Sequence, residues 1–215
     1  FGTKWDATPD KLTDSRFEKY GKLAPASKGE FAFIQHMVHH LDNDGTMATV
    51  VPHGVLFRGA AEGHIRKHMI EQENILDAVI GLPSNLFYGT GIPACILVFK
   101  KNRNSSDDIM FIDASQEFEK VKTQNVLTED NIQKIMDTYT KRTSIDKYSK
   151  SVSLSEIIEN DFNLNIPRYV DTFEEEEQID IDAVMKALKE NKIKQEEIKK
   201  EINKDLKELG LQELE

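Results

Sequence analysis

The sequence predicts an α/β fold, in which helices pack on a partly parallel sheet and a helical tail follows. Three apolar runs rich in Ile, Val and Leu, at 46–51, 75–83 and 93–101, are typical of buried strands. A stretch with helical periodicity at 59–72 connects the first two runs, which predicts a right-handed parallel crossover between them. The third run follows the second through a loop alone, so we expect it to be antiparallel.

Length and composition limit the class of protein. With 215 residues, 39% hydrophobic and 31% charged, the chain can form one moderate core with a smaller appendage. The sequence has no apolar run near the roughly 20 residues of a membrane span and no signal-peptide pattern, so we expect a cytoplasmic protein. A net charge of -10 argues against an autonomous nucleic-acid binder. The single cysteine, Cys95, is interpreted as a buried hydrophobic residue rather than a nucleophile.

The chain begins with Phe1-Gly-Thr-Lys-Trp5 instead of Met, which leads us to expect that upstream sequence has been lost by cleavage, truncation or disorder. Residues 6–26 contain two prolines and a glycine, and they predict a loop or lid with at most one short helix near 15–20. Ser27 and Glu30 then have the spacing of a capping box, which predicts a helix over 28–42.

The connection between the second and third predicted strands is unusually long. Residues 84–92, bounded by Pro83 and Pro93, expose Phe87 and Tyr88 where a hairpin needs only about two to five residues. A long loop with aromatic residues favours a binding element, but the two rings could equally cap the edge of a core. In an open parallel sheet, ligands bind beyond the carboxyl ends of the strands. The segments 1–5, 52–58 and 83–91 are therefore expected to meet at one site.

Four segments carry a resemblance to a known family. Phe1-Gly-Thr-Lys-Trp5, the stretches at 50–59 and 80–97, and Asn-Leu-Asn-Ile-Pro-Arg-Tyr at 163–169 resemble the methylation (M) subunit of type I restriction-modification systems. The resemblance runs along essentially the whole chain. It implies the C-terminal half of a Rossmann-like S-adenosylmethionine-dependent methyltransferase sheet, followed by a helical C-terminal tail. The implied function is the C-terminal part of a site-specific DNA adenine-N6 methyltransferase, which transfers a methyl group from S-adenosylmethionine to a flipped adenine.

The resemblance also implies roles for individual residues. Phe1 matches the last residue of the family's catalytic Asn-Pro-Pro-Phe motif. In that family the Phe stacks on the flipped base, while the Asn side chain and a proline carbonyl form hydrogen bonds with the exocyclic amine of the adenine. Such stacking is physically sensible, since an aromatic face replaces the stacking that the base loses when it leaves the duplex. Phe87, Tyr88 and Thr90 resemble the wall of the target-base pocket. The S-adenosylmethionine ligands belong to the N-terminal half, so no residue here receives a cofactor or metal role.

Three other groups of residues have simpler interpretations. His36, His39 and His40 include an i, i+4 pair, but a polar helix face is preferred to a zinc site because no third ligand has the right spacing. The segment 89–91 is interpreted as a turn rather than a phosphate loop. Six basic side chains could line a DNA backbone or form a solvated face: His64, Arg66, Lys67, Lys100, Lys101 and Arg103.

Beyond residue 102, the sequence predicts a short strand at 109–112 and a helix capped by Thr128. The stripe of that helix consists of Ile132, Ile135, Met136 and Tyr139. We predict three regions: 1–142 as the C-terminal part of the catalytic domain, 143–178 as a linker or docking segment, and 179–215 as an amphipathic helix. The linker is expected to contain a short helix near 154–160 and an irregular segment at 163–169 packed on a neighbour.

The tail is strongly charged, with a solvated run at 174–177, and Asp180 is the expected N-cap of its helix. Its apolar residues fall on a heptad seam: Ile181, Val184, Leu188, Ile198, Ile202 and Leu209. Polar residues interrupt the seam at Asn191, Gln195 and Asp205. A partner helix is slightly favoured over packing on its own domain. The resemblance points to the coiled-coil spacers of the specificity (S) subunit.

Two classes of function remain open. The first is the adenine methyltransferase part, with the S subunit, a second M subunit, the restriction (R) subunit and double-stranded DNA as partners implied by the resemblance. The alternative is a non-catalytic assembly module that docks the specificity subunit. A methyltransferase acting on RNA or protein is a weaker third hypothesis. The residues that precede Phe1 in the full protein would discriminate, because Asn-Pro-Pro there favours catalysis.

Overall fold

The computed structural model describes residues 1–104, 107–172 and 181–212, without the side chain of residue 183. The chain divides into two compact units, Phe1–Phe173 and Glu174–Glu215. The first unit contains the sheet and its helices, and the second contains one long helix. The predicted charge run at 174–177 and the predicted N-cap at Asp180 lie outside the described residues.

A five-stranded mixed sheet forms the centre of the first unit. Seven strands are described: β1 (Thr46–Pro52), β2 (Leu76–Gly81), β3 (Ala94–Lys100), β4 (Ile109–Asp113), β5 (Glu119–Lys120), β6 (Asn125–Val126) and β7 (Ser149–Val152). The main sheet has the order β1-β3-β2-β4-β7, and β5 and β6 form a separate small hairpin. The predicted α/β class is confirmed.

Strand directions agree with the sequence analysis. β3 is antiparallel to β2, as expected for two strands joined by a loop. It is also antiparallel to β1 and lies between β1 and β2 in the sheet. The first two strands therefore point the same way but are not neighbours, because β3 is inserted between them. The parallel neighbour of β2 is β4.

The described part of the chain contains six α-helices: α1 (Glu30–His40), α2 (Gly54–Phe57), α3 (Ala60–Lys67), α4 (Glu129–Lys141), α5 (Leu154–Glu159) and α6 (Ile181–Glu208). The predicted helix at 59–72 is α3 and the π-helical turn that continues it to Gln72. α2 was not predicted. The prediction of a capping box formed by Ser27 and Glu30 at α1 is wrong, since the N-cap is Gly29 and no side chain caps the helix.

Side chains alternate between the two faces of the sheet, and each face has its own core layer. Val79 and Phe111 belong to the larger layer, which also includes residues of α1 and α3. Ala78 and Met110 point to the smaller layer, where Ile135 of α4 packs. This period of two is what a sheet covered on both faces requires.

The N-terminal segment is packed rather than lid-like. It forms two short 3₁₀ helices, Pro9–Thr13 and Glu18–Tyr20, where at most one helix was expected. Phe17 and Tyr20 are buried in the larger core layer, and the ring of Trp5 packs against Phe17 with centroids 5.3 Å apart. Three aromatic side chains thus attach this segment to the domain.

The region after β4 departs from the predicted helix stripe. Thr128 caps α4 as expected, and Asn131 completes a reciprocal capping box. However, the predicted stripe is only partly buried: Ile135 lies in the core, whereas Ile132 and Met136 are exposed.

The segment predicted as a linker or docking segment packs against the sheet. Its strand β7 pairs with β4 in the main sheet, and α5 lies close to the predicted 154–160. The irregular segment that follows packs on its neighbours as predicted, because the rings of Phe111 and Tyr169 lie 4.3 Å apart between centroids. Residues 143–172 are therefore part of the first unit.

The second unit contains α6. Its seam residues Ile181, Leu188 and Ile198 are 56–72% exposed, and Ile202 is 40% exposed. None of the described helices combines the length and apolar character that a membrane span needs.

Candidate functional site

The carboxyl ends of β1 and β2 lie at the same edge of the sheet, on either side of the start of β3. The carbonyl oxygen of Ala94, the first residue of β3, accepts a hydrogen bond from the Leu82 amide at 2.9 Å. The Nε2 atom of His53 lies 3.1 Å from the same oxygen, which requires that this nitrogen carry the proton. Both strand ends are thus tied to one residue, and the β2–β3 loop, residues 82–93, extends from this point.

The N-terminal residues reach the same edge. The amide of Gly2 donates a 2.7 Å hydrogen bond to Oε1 of Glu30, and the Gly29 amide donates to the carbonyl of Thr3 at 2.8 Å. These bonds place Phe1 against the loop: its ring and the ring of Phe87 are 6.3 Å apart between centroids and nearly perpendicular. Glu30 therefore has a tertiary role here instead of the predicted capping role.

A charged cluster fixes the third segment of the site. Arg58 pairs with Glu62 through two hydrogen bonds, of which Nη2 to Oε1 measures 2.9 Å. Glu62 is the main cause of the raised pKa of Arg58. Arg58 also lies 3.6 Å from Oε2 of Glu30, which is an ion pair too long to be a hydrogen bond. Through Glu30, residues 52–58 and the N-terminal segment are joined, so the predicted meeting of the three segments is confirmed.

The β2–β3 loop has its own internal order. Asn85 adopts a left-handed backbone conformation with a φ of 54°. A Cβ atom at Gly91 would lie 2.8 Å from Oδ1 of Asn85, so a larger residue there would require the Asn85 side chain to move. At the tip, the Thr90 amide donates to the carbonyl of Phe87 at 3.4 Å, and the Thr90 hydroxyl oxygen accepts from Ile92 at 3.2 Å. The segment 89–91 is thus part of a compact turn, as expected.

The predicted site aromatics are open to solvent. Phe1 is 57% exposed, Phe87 39% and Tyr88 89%. For Tyr88 this exposure contradicts the alternative in which the two rings cap the edge of a core. A cavity of about 210 Å³ lies beside the tip and is lined by Phe87, Tyr88 and Thr90 together with residues of the β5–β6 turn. The chemistry available is aromatic stacking with a few hydroxyl and amide groups.

Two of the six basic candidates for DNA contact have side chains that are held in the interior. Arg66 is buried and donates to the carbonyls of Phe162 at 2.7 Å, Arg58 at 2.9 Å and Val55 at 3.1 Å, and burial lowers its pKa to about 10. Arg103 has a side chain only 2% exposed and lies 3.3 Å from Asp77. Neither guanidinium can reach a phosphate without breaking these bonds, so their assignment to a DNA-facing or solvated surface is wrong.

Cys95 has the predicted buried role, and the histidines of α1 contact one another. Cys95 is fully buried, and burial raises the pKa of its thiol to about 12, which leaves no thiolate for nucleophilic chemistry near neutral pH. The rings of His36 and His40 lie 4.4 Å apart, and Nδ1 of His40 bonds to the carbonyl of His36 at 2.8 Å. Within residues 1–104, 107–172 and 181–212, no group of three or more His, Cys, Asp or Glu side chains is placed to hold a metal ion.

One residue of the site escaped the sequence analysis. Asn125, at the start of β6, donates from Nδ2 to the carbonyl of Ser84 at 2.8 Å, and its amide donates to the carbonyl of Asn85 at 3.0 Å. A single asparagine in a polar stretch has no periodicity to mark it. Only the neighbouring valine and the turn at 121–124 indicate a hairpin.

Comparisons with known proteins agree on one family. A family model described as N-6 DNA Methylase matches residues 1–178. The chain is 40% identical over 205 residues to the type I restriction enzyme MpnII methylase subunit of Mycoplasma pneumoniae, covering 94% of this chain and 38% of that protein. It is 34% identical to the HindI methylase subunit of Haemophilus influenzae, covering 94% of this chain and 48% of the relative. The chain thus spans less than half the length of these relatives.

A solved structure is also similar. The crystal structure of a type I restriction-modification system methyltransferase subunit from Streptococcus thermophilus superposes with a TM-score of 0.77 at 52% sequence identity. The match covers 80% of this chain and 36% of that one. The arrangement of strands and helices described above is therefore found again in a protein of known type.

Proposed function

Because this chain belongs to the N-6 DNA methylase family, we propose that it is the C-terminal part of the modification subunit of a type I restriction-modification complex. The full protein transfers a methyl group from S-adenosylmethionine to the exocyclic amine of an adenine flipped out of duplex DNA. The observation that carries this proposal is the perpendicular pair of exposed rings, Phe1 and Phe87, at the carboxyl edge of the sheet. An edge of this kind is where open α/β sheets bind their ligands.

The exposed rings suit a flipped base. A base outside the duplex loses its stacking, and an aromatic side chain can restore it at about 1 to 3 kcal/mol per base. Phe1 provides the face, and the ring of Phe87 packs nearly perpendicular to it. Tyr88 and Thr90 form the wall of the pocket. Because Thr90 uses its hydroxyl oxygen to accept from Ile92, its hydroxyl proton remains available to donate to the base.

The cofactor belongs to the rest of the protein. The relatives are more than twice as long as this chain, and we place the S-adenosylmethionine ligands in the part that corresponds to their remaining length. Among the described residues β1 pairs with β3 alone, and Val50 on this edge strand is 41% exposed. An open strand edge next to Phe1 offers a place for that part to continue the sheet. S-adenosylmethionine supplies the electrophilic methyl group, and the residues of this chain hold and orient the base.

A second candidate function is that of a non-catalytic assembly module. The exposed seam of α6 favours it, because an amphipathic helix normally buries its apolar stripe against a partner. Within the proposed complex the same helix contacts the specificity subunit. A second modification subunit, the restriction subunit and double-stranded DNA complete the assembly.

The test is a methyl-transfer assay with the full-length protein and its specificity subunit. Labelled S-adenosylmethionine and duplex DNA are incubated with the complex, and the product nucleoside is identified by mass spectrometry. N6-methyladenine at one sequence is the expected product. An assembled complex that binds DNA without any transfer would favour the assembly module, and methylation of RNA or protein instead of DNA would refute the assigned substrate.

A further inference from the structure

The β5–β6 hairpin, residues 119–126, is fastened to the base of the β2–β3 loop. Asn125 makes both connections: Nδ2 donates to the carbonyl of Ser84 at 2.8 Å, and the backbone amide donates to the carbonyl of Asn85 at 3.0 Å. The residue is only 7% exposed, so its bond to Ser84 has little competition from water. One residue outside the loop thus fixes two consecutive loop carbonyls.

The turn of the hairpin extends toward the tip of the loop. It is closed by the Val121 amide, which donates to the carbonyl of Gln124 at 2.9 Å. Thr123 and Gln124 line the same cavity of about 210 Å³ as Tyr88 and Thr90. The cavity is therefore bounded by two turns, one from the loop and one from the hairpin. Its hydroxyl and amide groups can both donate and accept hydrogen bonds.

Charge favours a nucleic-acid strand as the occupant. Lys120 and Lys122 are exposed on the hairpin, and Glu119 is its one acidic residue. In a chain of net charge -10, a short exposed segment with an excess of positive charge is suited to a phosphate. The aromatic ring of Tyr88 on the opposite wall is suited to a base.

We propose that the hairpin is a second wall of the target-base site, in which Asn125 is a positioning residue for the loop and Thr123 and Gln124 contact the nucleotide next to the target adenine. This inference rests on the proposed function. Asn125 holds the base of the loop, so that Phe87 stays against Phe1. A loop joined to the sheet only at its two strand ends would have to be ordered each time DNA binds, and this ordering would reduce affinity.

The first test replaces Asn125 by Asp in the full-length protein with its specificity subunit. Asn125→Asp keeps the shape and the backbone bond to Asn85 but places a carboxylate oxygen against the carbonyl of Ser84. We expect roughly tenfold weaker binding of cognate DNA, which is the effect of losing one buried hydrogen bond. The fluorescence of 2-aminopurine at the target position, which reports base flipping, should fall, whereas S-adenosylmethionine affinity should not change.

Asn160→Asp is the matched control, because Nδ2 of Asn160, the C-cap residue of α5, also donates to a backbone carbonyl, that of Glu156, at 3.0 Å. It should leave DNA binding and 2-aminopurine fluorescence at their wild-type values. Hydrogen exchange of the free full-length protein gives a readout that is independent of activity. Amides at 84–92 should exchange faster in Asn125→Asp and at the wild-type rate in Asn160→Asp.

The second test addresses the contact with the neighbouring nucleotide. The double variant Thr123→Ala, Gln124→Ala should leave loop exchange unchanged and weaken DNA binding by several-fold, by an amount that depends on the base next to the target. A uniform or absent effect overturns this contact. If the Asn125→Asp complex is active and has wild-type DNA binding, 2-aminopurine fluorescence and amide exchange, the positioning role of Asn125 is overturned while the proposed function stands. A wild-type complex that neither binds nor methylates DNA would refute the proposed function, and this inference with it.

Discussion

Substitution of Phe1 by Ala in the full-length protein separates stacking from folding. In the structure the ring of Phe1 is 57% exposed and has one aromatic contact among the described residues, the perpendicular pair with Phe87. Such a pair contributes about 0.5 to 1.5 kcal/mol beyond the area it buries, so Phe1→Ala should reduce the free energy of unfolding by about this amount together with the burial of the covered part of the ring. Loss of the stacked base removes about 1 to 3 kcal/mol from the reacting complex. Since about 1.4 kcal/mol corresponds to a factor of ten, turnover should fall by roughly one to two orders of magnitude.

The assay is steady-state methylation of a duplex with one target site, combined with titration of S-adenosylmethionine. Two further variants serve as controls for the Phe1→Ala result. Phe1→Tyr keeps an aromatic face and should retain most of the activity, whereas Phe1→Leu keeps apolar volume without that face and should behave like Ala. Cofactor affinity should be the same in all of them. A Phe1→Ala protein that methylates at the wild-type rate would refute the stacking role, and a loss of cofactor binding would point to misfolding instead.

The isolated chain, the tail helix and Asp77 provide three other predictions. The 215-residue chain on its own should neither transfer methyl groups nor bind S-adenosylmethionine measurably, and micromolar affinity in a calorimetric titration would contradict this. The double variant Ile198→Asp, Ile202→Asp should no longer form a complex with the specificity subunit in size-exclusion chromatography, while its circular dichroism should show that the sheet unit stays folded. A complex of unchanged size would show that the seam of α6 does not contact the specificity subunit. Asp77→Asn should lower the free energy of unfolding by about 1 to 3 kcal/mol, because it removes the carboxylate charge that pairs with the buried Arg103 and the partly exposed Lys100 and Arg142. Burial alone would raise the pKa of Asp77, but hydrogen bonds from Tyr139 and Lys100 and the charge of Arg142 outweigh burial and lower it. The carboxylate therefore stabilises the fold above the unfolded-state pKa of about 3.9, and this stability is lost as the pH falls through the folded-state pKa. Urea unfolding should accordingly show the two proteins converging below about pH 4, and a constant difference down to lower pH would contradict the assignment.

The elements predicted correctly are those determined by local pattern. β2 and β3 are mostly apolar runs. α4 begins directly after its N-cap Thr128, because the Thr128 hydroxyl and the Asn131 side chain accept hydrogen bonds from backbone amides of the first turn. β7, by contrast, has the sequence Ser-Lys-Ser-Val and no apolar alternation. It is a strand because β4 offers an open edge, which is a tertiary reason that no local window contains.

The same distinction applies to the site. The aromatic residues of the β2–β3 loop could be predicted because a long loop between two buried strands with exposed rings is unusual. The role of Glu30 could not, since its spacing from Ser27 fits a helix cap equally well, and only the fold brings Gly2 and Arg58 to its carboxylate. Arg66 and Arg103 were misplaced for a similar reason. A basic side chain that binds buried carbonyls looks the same in sequence as one that faces a phosphate.

The position of β3 between β1 and β2 has a consequence for the order of folding. β2 and β3 pair through Gly81 and Cys95, which are close in sequence, whereas β1 meets β3 through Pro52 and Ala94, with the whole of α2 and α3 between them. Closing the shorter connection costs about 1 kcal/mol less chain entropy than closing the longer one. The β2–β3 hairpin is therefore expected to form first, and β1 and the N-terminal residues dock against it afterwards. Because a ribosome synthesises the chain from its N-terminus, Phe1 is made before the β2–β3 loop that it contacts in the folded protein.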